Sequence, residues 1–227
     1  MSVKKKFKDF MYNNPFAKHR RNKMRARLKN RNMSFFVPSC IGGELFHDLG
    51  LQFRSPTINT MIYQTHFVRF ITHYDEYMQK PFVFYTDPEN PKVPCAHLGD
   101  VDIHFTHYKT PEEAERKWRE RAARVDWDNA FVFCSDRDGI TDDEIRSLKK
   151  LNVRGVVVFS ARRIADAPYV LYIPDYKKFG ETTDLQKVNH PFENRNYEKY
   201  FDWVKWFNEA NGAPYDISPY SLVKKNG

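Results

Sequence analysis

Alternating strand and helix signals through the middle of this 227-residue chain predict an α/β fold, a three-layer Rossmann-like sandwich with a mostly parallel sheet behind a basic N-terminal extension. Three observations carry that expectation. The runs at 130–134 (AFVFC) and 154–161 (RGVVVFSA) are continuously apolar and rich in β-branched or aromatic residues, as strands covered on both faces are. Between them, Thr141 stands where a helix N-cap belongs, ahead of DDEIRSLKKL. The composition, 41% hydrophobic and 16% aromatic, supplies one substantial core and too little for two, so residues 33–227 are expected to form a single domain.

In chain order, residues 1–32 form the extension, and SFFVP (34–38) is a short strand. SCIGGELFHDLG (39–50) is a glycine-bearing turn entering a helix, HFVRFITHYDEYMQ (66–79) a longer amphipathic helix, and KPFVFYT (80–86) a strand. DVDIHFTHY (100–108) alternates polar and apolar residues with period two, the pattern of a strand with one buried face, which turns Asp100, Asp102 and His104 the same way. Thr110-Pro111-Glu112-Glu113 supplies an N-cap, a first-turn proline and two acids, and starts a helix running to about Arg124. After the strand at 130–134, Ser135-Asp136-Arg137-Asp138-Gly139 reads as a turn. PYVLYIP (168–174) is a further strand, and residues 194–210 read as one aromatic-faced C-terminal helix.

Charge is unevenly placed. Residues 1–32 hold 12 of the 37 Lys and Arg and one of the 29 acids, so a mildly acidic body carries a strongly basic leader. Before Pro15, Val3, Phe7, Phe10 and Met11 recur at helical spacing among Lys4, Lys5, Lys6 and Lys8, a pattern suited to an anionic membrane surface. A solvated extension is the plain alternative. Nucleic acid is the least expected partner, because the body adds no second basic surface. No apolar run is long enough to span a bilayer and no secretory h-region is present, so a cytoplasmic protein, peripheral at the inner membrane face, is expected. Cys40, Cys95 and Cys134 form no CxxC pair and read as reduced thiols.

The candidate chemistry lies in three groups. The turn Ser39-Cys40-Ile41-Gly42-Gly43 would aim backbone N–H groups at a phosphate from the end of a strand, with Arg54 closing over it, although it matches neither the dinucleotide nor the P-loop pattern. A tight turn that needs glycine is the structural alternative. Asp100-Val101-Asp102 is a DxD that would hold a divalent cation such as Mg or Mn against a leaving diphosphate, and is also short enough to arise by chance. His104, beside Asp102, is a candidate general base, with His107 and Lys109 binding substrate. A zinc cluster of His97, Asp102 and His104 ranks below these because its spacing fits no zinc motif. Asp136, Arg137 and Asp138 complete the set at a strand end, with Asp136 catalytic and the other two binding substrate.

The joint pattern of residues 39–59, 98–129 and 133–139, with HYK, EEA, KW and two following arginines at fixed spacing, resembles a bacterial family often labelled exopolysaccharide biosynthesis protein, domain of unknown function 1919. The resemblance spans about residues 34–206. It implies a cytoplasmic α/β protein of polysaccharide gene clusters and brings no reaction with it. The resulting expectation is a glycosyltransferase-like enzyme that takes a sugar or related group from a nucleotide-sugar-like donor to a lipid-linked acceptor. The rival is a non-catalytic, membrane-associated accessory protein of polysaccharide assembly.

Overall fold

A computed structural model describes Phe10, Tyr12 and residues 14–224; most of the amphipathic pattern before Pro15 lies outside the described residues. In chain order the elements are α1 (Pro15–Arg27), β1 (Ser34–Phe36), α2 (Ile41–Leu49), α3 (Gln64–Thr72), α4 (Tyr74–Met78), β2 (Phe82–Thr86), β3 (Pro94–Leu98) and β4 (Val101–His104). They continue with α5 (Pro111–Ala122), β5 (Ala130–Ser135), α6 (Asp142–Ser147), β6 (Gly155–Ser160), β7 (Val170–Tyr172), α7 (Asn196–Lys199) and α8 (Trp203–Glu209), with short 3-10 turns between.

The fold is mixed α/β. A four-stranded parallel sheet runs β1-β5-β6-β7, and a separate three-stranded antiparallel sheet runs β2-β3-β4. Every residue of β1, β5 and β6 is buried, which accounts for their continuous apolar sequence. On one face, Phe35 meets Phe207 at 5.3 Å and Phe131 meets Trp206 at 4.9 Å, both partners from α8. Gly155 belongs to that face: a Cβ there would stand 2.8 Å from both Phe131 and the Trp206 indole, so the strand must be bare where the indole lies. On the opposite face Phe36 stacks on Trp127 at 5.0 Å and meets Tyr74 at 5.6 Å.

Three expectations change here. The parallel strands follow chain order among the described residues, without the order reversal that marks a doubly wound Rossmann sheet. The segments around 82–86 and 101–104 do not join that sheet. Leu98 pairs with Val101 across the two-residue loop Gly99-Asp100, with Gly99 at φ 65°, and so short a loop can only reverse the chain into an antiparallel hairpin. The helices expected at 66–79 and 194–210 are each divided. His73, at φ −129°, separates α3 from α4. Phe201 forms a β-bridge with Ser221, and Asp202 restarts the helix by accepting the Lys205 N–H at 3.1 Å.

α1 is packed into the domain rather than standing apart. Asn14 caps it through Ala17 N–H at 2.9 Å, with Pro15 in the first turn. Arg20 donates to Asp48 at 3.0 Å and to Glu198, and Arg27 donates to Asp202 at 2.5 Å. Arg25 donates to the Asp48 and His47 carbonyls at 2.7 and 3.1 Å, at the end of α2. Much of the basic charge after Pro15 is therefore spent on acids and carbonyls of the body.

Candidate functional site

Parallel pairing opens the carboxyl ends of β1, β5 and β6 on one edge, where α/β proteins hold ligands. A cleft of about 260 Å³ lies there, walled by Ser39 and Ile41 after β1, Gln64 at the start of α3, Ser135 and Arg137 after β5, and residues 183–187. That volume falls just below the ~300–1,000 Å³ of sites that enclose a drug-sized molecule, and suits a phosphate-bearing fragment of a larger ligand.

Asp136, Arg137 and Asp138 are adjacent in sequence and have three different fates. Asp136 is buried, and its carboxylate accepts Ala161 N–H at 2.7 Å, Thr182 N–H at 2.8 Å, the Ser160 hydroxyl at 3.0 Å and Arg162 at 3.4 Å. With its oxygens so occupied, it positions the chain after β6 and the 182–187 wall of the cleft. Asp138, at φ 59°, accepts the Gln64 N–H at 3.2 Å and so caps α3, while Gln64 Oε1 accepts Ser135 N–H at 2.9 Å. Arg137 between them is exposed on the cleft, and its guanidinium has no hydrogen-bond or ion-pair partner among the described residues. Lys187 lies 3.7 Å from Asp184, so the cationic charge of Arg137 is the unbalanced charge of the cleft lining.

The glycines of the 39–43 turn have a packing reason. They lie inside α2 rather than in a loop, and a Cβ on Gly42 would overlap Val37, one on Gly43 the Asn59 side chain. They let α2 sit against the exit of β1. Its N-cap, Cys40, makes no capping hydrogen bond, and Ser39 Oγ accepts Ile41 N–H at 3.4 Å. Cys40 Sγ points toward β4, 3.2 Å from His107 Nε2 and 3.7 Å from Thr106 Oγ1. Burial pushes the Cys40 thiol up despite the Thr106 hydrogen bond.

The remaining candidates stand elsewhere. Asp100 accepts Tyr77 OH and Arg69, each at 2.6 Å, and those partners, Tyr77 first, hold its carboxyl below the usual range. Asp102 accepts Tyr85 OH at 3.0 Å and pairs with His97 Nδ1 at 2.8 Å, so the two carboxylates of the DxD serve separate partner sets. His104 Nδ1 lies 3.4 Å from Cys95 Sγ on the antiparallel sheet. Arg54 donates to the Arg124 carbonyl at 3.3 Å, and Lys109 N–H donates to Glu113 at 2.9 Å at the entry to α5. The structure thus brings Ser39 and Arg137 together at one cleft with Asp136 and Asp138 bracing it. Cys40 and His107 adjoin it, and Asp100, Asp102 and His104 belong to the other sheet. Gln64 and residues 183–187 had no motif to mark them, because each is recruited by a fold contact.

The molecule is thus a mixed α/β protein with a cationic cleft at the carboxyl edge of its parallel sheet. It belongs to the family described as Domain of unknown function (DUF1919), which matches residues 11–208 and so takes in α1 as well as the sheets. It is similar to an uncharacterized protein of Haemophilus influenzae (strain ATCC 51907 / DSM 11121 / KW20 / Rd), 30% identical over 187 residues that cover 82% of this chain and 89% of that one. Among the described residues, no helix is long and apolar enough to cross a membrane.

Proposed function

We propose that this protein is a transferase of surface- or exopolysaccharide biosynthesis, moving a sugar or related group from a phosphate-activated donor to a lipid-linked acceptor, with the donor phosphate in the cleft. The observation that carries the reading is Arg137, an unpaired guanidinium at a strand end facing Ser39 and the first turn of the nine-residue helix α2. A guanidinium fork recognises phosphate oxygens in a bidentate manner, and the α2 N-terminus favours the same charge. Because Asp100 is committed to Arg69 and Tyr77, donor charge in this reading is met by Arg137 rather than by a cation on the DxD. The base is assigned to His107, joined to the α2 start through Cys40, in place of His104 on the other sheet.

Calorimetric titration with inorganic pyrophosphate and a panel of nucleoside diphosphates, with and without manganese, tests this reading. Binding is expected, and Arg137→Ala should weaken it roughly ten- to hundredfold, the worth of a charged hydrogen bond. Equal affinity in the variant, or no binding by any of these compounds, would overturn it.

The accessory-protein alternative draws on α1. Phe16 is exposed there with Lys18, His19 and Lys23, and Asn14 Nδ2 donates to the Pro191 carbonyl, which brings the exposed Phe192 toward the same end. Aromatic and basic residues on one surface fit an anionic bilayer, at about 1 kcal/mol per basic residue. The protein is expected to sediment with vesicles containing phosphatidylserine and not with pure phosphatidylcholine. Combining Lys18→Glu and Lys23→Glu should cut that binding at least tenfold. If the variant keeps turnover on a soluble acceptor, the membrane contact serves an enzyme; if there is no turnover in either form, the adaptor reading stands.

A further inference from the structure

The antiparallel sheet has two unlike faces. Phe82, Phe84, Ala96, Ile103 and Phe105 point inward, and Phe82 and Phe105 pack on Trp118 at 5.6 and 6.0 Å. The period-two alternation puts Cys95 and His104 on the opposite face, where they are direct cross-strand partners, and Cys95 also pairs with Tyr85 of β2. Asp87, two residues beyond Tyr85, reaches the same point. One ligand atom from each of Asp87, Cys95 and His104 lies within 4.8 Å of both others.

We infer that Asp87, Cys95 and His104 form a site for a borderline-soft divalent cation of the zinc class. The inference is independent of the donor cleft. Geometry is the first support. Two ligands of a tetrahedral zinc, sulfur at about 2.3 Å and nitrogen at about 2.0–2.1 Å, stand about 3.5 Å apart, and Cys95 Sγ and His104 Nδ1 are 3.4 Å apart. The sulfur–nitrogen edge of the polyhedron is thus already at coordination spacing. The second support is the state of the groups. Cys95 is buried and Asp87 and His104 are half-buried, so the three groups are partly shielded from water. Nδ1 is the His104 nitrogen turned toward Cys95, while Nε2, on the far side of the ring, is closed off from solvent without a hydrogen-bond partner among the described residues. A divalent cation would hold thiolate, imidazole and carboxylate together through its own charge. Asp87 retains accepting capacity for this, since its turn uses one oxygen for Glu89 N–H at 2.9 Å and the other only distantly, for Asn90 at 3.5 Å.

Sulfur, nitrogen and oxygen donors select zinc over magnesium or calcium, and three protein ligands leave a fourth position for water or substrate, as in catalytic rather than structural zinc sites. The neighbouring His97–Asp102 pair, at 2.8 Å, stands on the same face.

Cobalt titration of the full, chelator-treated chain tests the site. One equivalent should produce a thiolate-to-cobalt charge-transfer band with tetrahedral visible bands, and zinc should bleach both. The bands should be lost in Cys95→Ser, persist in Cys40→Ser, and need at least tenfold more cobalt in Asp87→Asn. No charge-transfer band in the folded wild type, or an equal band in Cys95→Ser, overturns the proposal. Should Cys95→Ser fail to fold, X-ray absorption of the zinc-loaded wild type separates the outcomes: one sulfur in the metal shell is required, and none refutes the site.

Discussion

Asp48→Ala is expected to lower the unfolding free energy by about 3–5 kcal/mol, the range for breaking one side of a buried ion-pair network. Asp48 is 2% exposed and accepts Arg195 at 2.5 Å and Arg20 at 3.0 Å, with Arg21 at 4.0 Å. Removing it leaves the Arg20 and Arg195 guanidiniums largely out of water, with Glu198 and, for Arg195, Glu44 at 3.4 Å as the remaining acidic partners among the described residues. Burial pushes the carboxyls of Glu44 and Glu198 up against the pull of the neighbouring guanidiniums. Urea denaturation measures the loss. Because Asp48 is where α1 meets α2, hydrogen exchange across residues 15–27 should rise more than across β5 and β6. A change below about 1 kcal/mol would mean that the network is open to water and that α1 is held by other contacts.

Asp136→Asn should cost about 2–4 kcal/mol and also weaken phosphate binding, although Asp136 faces no ligand. Its four contacts all donate to it: Ser160 Oγ, Ala161 N–H, Thr182 N–H and Arg162. An amide presents one nitrogen where the carboxylate presented an oxygen, so at least one buried donor meets another donor and is left unsatisfied. Thr182 leads directly into residues 183–187 of the cleft, and its release loosens that wall. Thermal unfolding and pyrophosphate calorimetry on one sample separate the two effects. Full affinity in a destabilised Asp136→Asn would show that the wall is held independently of the carboxylate.

The Arg137 and Asp136 variants also mark how far this site can be read from the chain. Asp136, Arg137 and Asp138 stand out together because they follow an apolar strand, and that reasoning points to the carboxyl edge of the parallel sheet, where the cleft lies. That reasoning does not separate the roles of the three residues. Asp136 is claimed by Ala161 and Thr182, 25 and 46 residues away, and Asp138 by Gln64, 74 residues away. The pair Gly42-Gly43 illustrates the same limit: the residues are noticeable, but the need for them comes from Val37 and Asn59 pressing on α2.

Features governed within about one turn were legible from the amino acids alone. Thr110 caps α5 by accepting Glu113 N–H at 3.2 Å, and Thr141 caps α6, each ahead of the helix it begins. The buried strands β5 and β6 and the polar face shared by Asp102 and His104 also follow from local pattern. Tertiary structure alone decided that β2–β4 form their own sheet, that helices break at His73 and Phe201, that α1 packs onto the body, and that Cys95, nine residues from His104, becomes its partner. The physical reason is range. Caps and periodicity act between residues a few positions apart, whereas sheet membership and side-chain partnership are settled by which distant segments repay the entropy of closing the loop between them.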